Sequence, residues 1–117
     1  MNAAKFVCHL RNYVIDENLE IYKKLFEETP PSGAADPYWK AALTLFEKLD
    51  AEQRMTFFKV IHQVAVDTTA NVLGEVDGVN SISQDDEAYE LRCEGMLISG
   101  DLQGIFLADE ERTQRKK

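Results

Sequence analysis

Four polar residues fall together in a stretch that is otherwise apolar: His62, Gln63, Asp67 and Asn71. Counted from Lys59 they sit at i+3, i+4, i+8 and i+12, so a helix would bring them to one face. A histidine titrates near neutral pH and can act as a general base when a carboxylate orients it. Here the nearest carboxylate on the same face is five residues on, which on a helix is about 140° around the axis and a strained reach. The stripe therefore reads as a solvated or inter-helix face, with a polar ligand-binding or hydrolytic site as the alternative.

A second group is acidic. Glu75, Asp77, Asp85, Asp86 and Glu87 surround Gly78, Asn80, Ser81 and Ser83, and Glu90 and Glu94 follow. Oxygen donors in such number would suit a hard cation, but the calcium-loop pattern fails because Ile82 stands sixth from Asp77, where that loop needs glycine. No metal and no cofactor is assigned, and these acids read as a surface for a basic protein partner. The charge distribution points the same way. Residues 1–66 carry a net charge of -1, residues 67–111 carry -11, and the last six residues carry +4, within a total of -8. A field of that sign repels nucleic acid and anionic lipid and speeds encounter with cations.

Other chemistry lacks its residues. The chain has no GxGxxG, GxxxxGK[ST], GxSxG or HExxH, and neither His9 nor His62 is preceded by Glu at i-3, as di-iron bundles require. Cys8 and Cys93 form no CxxC or Cys/His cluster, so they read as reduced thiols packed in the core of a cytoplasmic protein. His9 and Arg11 interrupt the N-terminal apolar residues, and no 18-residue apolar run occurs, so neither a signal peptide nor a membrane span is expected.

The elements that must position these residues are mostly helical. Residues 3–28 carry one stripe of Val7, Leu10, Val14, Ile21 and Leu25 and a second of Ile15, Leu19, Tyr22 and Phe26, which predicts one long helix, bent near Asp16, Glu17 and Asn18. Pro30, Pro31 and Gly33 end it. Asp36-Pro37 starts a second helix running to about Leu49, and Asp50 with Gln53 forms a capping box for a third, about residues 51–73, closed by Gly74. The third helix is apolar around most of its circumference, through Met55, Phe57, Phe58, Val60, Ile61, Val64, Ala65, Thr68, Val72 and Leu73, and should be central. Tyr89, Leu91 and Cys93 then alternate with charges as in a strand, Glu94-Gly95 fits a two-residue turn, and Met96 to Ile98 would pair back. A last helix covers about residues 101–112, with 113–117 a disordered basic tail. The fold class is mainly α: a single domain, residues 1–117, of three long helices, a small β-hairpin and a C-terminal helix.

Two segments carry a resemblance. Val64 to Gly74 followed by Asp77-Gly78, and Gly100 to Leu107, are similar to parts of small, uncharacterised bacterial proteins, some of which look like immunity or accessory interaction proteins. That resemblance covers about residues 38–111 and implies a bacterial, cytoplasmic binding protein, without assigning catalytic residues. The expectation from the sequence is thus a non-enzymatic interaction protein, antitoxin-like, whose acidic residues 67–111 meet a basic partner. A homodimer paired through Tyr38, Trp39, Phe57 and Phe58 is a further possibility.

Overall fold

A computed structural model of the chain describes residues 1–78 and 89–115. The fold is mainly α with one small antiparallel hairpin. Helix α1, Ala3–Leu10, starts where the Asn2 side chain accepts from the Lys5 amide at 2.9 Å. It passes without a break into a π-helical segment, Arg11–Glu17, and then into α2, Asn18–Glu28. The interruption expected at Asp16 to Asn18 therefore begins at Arg11. Its wider turns shift the helix phase, which divides the first predicted stripe: Val7 is buried while Val14 and Ile21 are exposed, and Ile15 of the second stripe is buried instead.

Helix α3, Pro37–Glu47, begins at Asp36, whose carboxylate accepts from the Tyr38 amide at 2.8 Å. Helix α4, Ala51–Val76, carries the predicted capping box in both directions, Gln53 N to Asp50 Oδ1 at 2.8 Å and Asp50 N to Gln53 Oε1 at 2.9 Å. It does not stop at Gly74, which is buried within the helix. The left-handed residue that ends it is Gly78, at φ 79°. Strands β1, Arg92–Cys93, and β2, Met96–Leu97, pair with Arg92 opposite Leu97 and Cys93 opposite Met96. Between them Glu94 and Gly95 have φ of 53° and 81°, the signature of a type I′ turn. Helix α5, Leu102–Arg115, includes residues 113–115, which were expected in the tail.

Two apolar clusters hold these elements. The upper one joins Val7, Ile15, Val66, Ala70, Leu73, Leu102 and Phe106. The lower one is built on Phe26, Leu43, Phe46 and Phe58, with Tyr22, Trp39 and Phe57 packed around it. Each such buried side chain contributes roughly 1.5–3 kcal/mol. Trp39, Phe57 and Phe58 thus pack within the chain, while Tyr38 is exposed. Helix α4 contributes to both clusters and is central, but Met55, Val60, Val64 and Val72 on it are exposed. Cys8 is exposed and Cys93 half-buried, against the expectation of two core thiols: Cys8 follows Val7 by one residue and so turns off the buried face.

Candidate functional site: a basic groove beside a buried ion network

The ion network starts at Arg11, the first residue of the π segment, which is only 7% exposed. Val7, Arg11 and Ile15 follow one another at i+4 along the buried stripe, so the guanidinium enters the interior by helix geometry alone. There its Nε donates to Asp109 Oδ2 and its Nη1 to Glu110 Oε2, each at 2.5 Å, and its plane lies 5.3 Å from the Phe106 ring centroid. Burial opposes the Arg11 charge, and the bonds to Glu110 and Asp109 more than offset it, raising its pKa. Glu110 reaches the interior in the same manner, four and eight residues after Phe106 and Leu102.

Glu110 also joins α5 to α4. His62 Nε2 lies 3.0 Å from Glu110 Oε1, and Gln114 Nε2 donates to that oxygen at 2.7 Å. Burial alone would raise the Glu110 carboxyl, but hydrogen bonds from His62, Gln114 and Arg11, with the Arg11 charge, hold it at about 2 against an ordinary 4.5. Because Glu110 is ionised, His62 Nε2 carries a proton and donates to it. The same nitrogen cannot then accept from Gln114, which stands 3.2 Å away.

His62 and Gln114 close one end of a groove of about 980 Å³ between α2 and α4. It is about twice the size of the 470 Å³ hollow on the outer face of α3. Leu19, Leu49, Met55 and Phe58 give it an apolar lining, and Lys23, Arg54 and Lys59 add three positive charges against the single carboxylate of Glu27. Lys23 Nζ lies 5.7 Å from the Phe58 ring centroid, and the Arg54 guanidinium lies 4.5 Å from that of Phe46. Arg54 Nη2 donates to the Glu47 carbonyl at 3.4 Å, while its Nε is buried without a partner. Among the described residues none of these three cations is paired with a carboxylate. An acidic chain thus presents a locally basic, half-apolar concavity, and such a surface attracts anions.

The predicted polar stripe is divided between two settings. His62 turns to Glu110, and Gln63 lines the groove while donating to Asp67 at 2.8 Å; Asp67 and Asn71 are exposed and outside the groove lining. Of the predicted acidic surface, Asp85, Asp86 and Glu87 lie outside the described residues. Glu75 is half-buried, Glu90 pairs with Arg92 at 3.0 Å, and Glu94 occupies the hairpin turn. Asp77 is bound up in the fold. Its Oδ1 accepts from Gly100 N at 2.7 Å and Leu102 N at 3.1 Å, and its Oδ2 accepts from Gln103 N at 2.8 Å, so it caps α5 from the end of α4. Among the described residues no group of three or more His, Cys, Asp or Glu could hold a metal ion, and no helix is long and apolar enough to cross a membrane.

Sequence reasoning missed Arg11, Asp109, Glu110 and Gln114. The available signal was a charge on an apolar stripe, Arg11 between Val7 and Ile15 and Glu110 after Leu102 and Phe106. Comparison of the chain with protein-family models, curated proteins and solved structures finds no match.

Proposed function

We propose that this chain is a non-enzymatic binding protein whose working site is the groove between α2 and α4, and that its ligand has an apolar body and an anionic group. The observation that carries this reading is the pairing of an apolar lining with Lys23, Arg54 and Lys59, which form no ion pair among the described residues, in a hollow of about 980 Å³. Burial of the apolar body supplies affinity, and the rim cations select the sign of the head group. Glu110, held at about 2, stays ionised near neutral pH and acts there as a hydrogen-bond acceptor and not as a proton donor. Titration of isotope-labelled protein with dodecanoate, below its micelle concentration, tests this: amides of Leu19, Lys23, Met55, Phe58 and Lys59 shift together, and dodecyltrimethylammonium leaves them in place. Absence of dodecanoate shifts in the groove overturns the reading.

A second reading keeps the acidic segment, residues 67–111, as the surface for a basic protein partner in the manner of an immunity or antitoxin protein. The observation that favours it is the hairpin, where the acids Glu90 and Glu94 accompany Tyr89, Met96 and Leu97, all at least half exposed. Exposed apolar side chains rimmed by charged ones are the composition of an interface and its rim.

A further inference from the structure

Helix α2 runs antiparallel to α4 along the groove, since Ile15 shares one apolar cluster with Val66 and Phe26 shares the other with Phe57 and Phe58. Leu19 therefore stands level with His62 and Gln63, Lys23 with Phe58 and Lys59, and Glu27 with Arg54. The closed end is characterised by which of its polar atoms are already engaged. Gln63 Nε2 donates to Asp67 Oδ1 at 2.8 Å, and Gln114 Nε2 donates to Glu110 Oε1 at 2.7 Å. A carboxylate oxygen only accepts, so both amides are held with nitrogen toward the carboxylate, and each is left with its carbonyl oxygen. Among the described residues neither of those oxygens receives a hydrogen bond. His62 likewise gives its Nε2 proton to Glu110, which leaves Nδ1 of the neutral ring as an acceptor. The groove thus sets acceptors at its closed end and, one helical turn away, the two donor-only lysines.

We propose that the groove selects a hydroxy acid, an alkyl carboxylate with a hydroxyl group close to its carboxylate, and that Gln63 and Gln114 are the residues that read the hydroxyl. This rests on the groove being the binding site and narrows the class of its ligand. The carboxylate meets Lys23 and Lys59, the hydroxyl donates to the Gln63 or Gln114 carbonyl oxygen, and the alkyl chain lies along Phe58, Met55 and Leu49. One turn of α4, about 5.4 Å, separates Lys59 from the level of Gln63, and the flexible lysine stem shortens that span to the two-carbon spacing of a 3-hydroxy acid. Glu27, the other acceptor in the lining, stands a turn to the opposite side of Lys23, where its charge repels the ligand's carboxylate and turns the head group toward the closed end. A plain alkyl carboxylate in the same position leaves both carbonyl oxygens to water or hydrocarbon, and a site that offers acceptors discriminates against a ligand without the matching donor.

The test is calorimetric titration of the full chain with dodecanoate, with each enantiomer of 3-hydroxydodecanoate, and with 3-methoxydodecanoate, which keeps the oxygen and lacks the proton. One 3-hydroxy enantiomer binds the unaltered chain about three- to tenfold more tightly than dodecanoate, the effect of one added hydrogen bond, and the methoxy acid shows no such gain. In Gln63→Met with Gln114→Met the hydroxy acid and dodecanoate bind alike. Hydroxy acids that bind the unaltered chain no better than dodecanoate overturn the inference and leave the groove as the binding site. An advantage that the methoxy acid keeps, or that survives the double substitution, overturns it too. A chain that binds none of these acids overturns both the inference and the reading of the groove.

Discussion

Arg11 and Glu110, 99 positions apart in the chain, meet through an Nη1 to Oε2 bond of 2.5 Å with both side chains almost out of solvent. This contact fastens the N-terminal helical segment to the C-terminal helix. Because Glu110 also accepts from His62 and Gln114, it sets the closed end of the groove as well. A buried ion pair adds little over well-packed apolar residues, but removing one member leaves an uncompensated charge. The network is therefore a point of sensitivity more than a source of surplus stability.

Acid titration follows from it. A carboxyl held at about 2 in the folded chain, against 4.5 ordinarily, contributes stability that is fully present above the unfolded value and is lost as pH falls through the folded one. The shift corresponds to about 3 kcal/mol. Glu110→Gln should lower the unfolding free energy by about this amount near neutral pH, and the gap to the unaltered chain should close as urea melts are repeated from about pH 4.5 down to about pH 2. A gap independent of pH would contradict the assignment.

Asp77 should behave as a structural cap. Asp77→Ala strips three amides, those of Gly100, Leu102 and Gln103, of their acceptor. The expected cost is about 2 kcal/mol in urea unfolding, with loss of hydrogen-exchange protection confined to the start of α5.

The hairpin turn offers a gain. Glu94 holds φ 53°, a left-handed conformation that a glutamate adopts at a cost and asparagine tolerates. Glu94→Asn creates an Asn-Gly turn and should raise stability by about 0.5–1 kcal/mol, read as a higher thermal midpoint with the hairpin amides exchanging more slowly. An unchanged or lower midpoint would mean that the glutamate has another use.

Local signals in this chain were legible and long-range ones were not. Asp36, Asp50 with Gln53, and Glu94-Gly95 each act on neighbours within a few residues, so their caps and turn could be read directly. Gly74 misled because a helical pattern that continues past a glycine looks the same as one that ends there until packing decides, and here Gly74 is buried in the wall of α4. Val14 and Ile21 misled because a regular period of 3.6 was carried through a π segment. His62 was legible as a site residue, but its partner was sought on its own helix at Asp67 and stands 48 residues away at Glu110. The groove itself draws on residues from Leu19 to Gln114, and no spacing rule relates them.

The account rests most heavily on the sign and place of the groove's charge, and a dodecanoate titration by calorimetry on the unaltered chain and on Lys23→Glu with Lys59→Glu measures both. Lys59 is exposed and Lys23 half-buried over Phe58, and neither is in an ion pair among the described residues, so the double variant keeps the fold. The account predicts that the unaltered chain binds dodecanoate and that the variant binds it at least about tenfold more weakly, a change of about 1.4 kcal/mol. Equal affinity in the two proteins, or no binding to the unaltered chain, would contradict it.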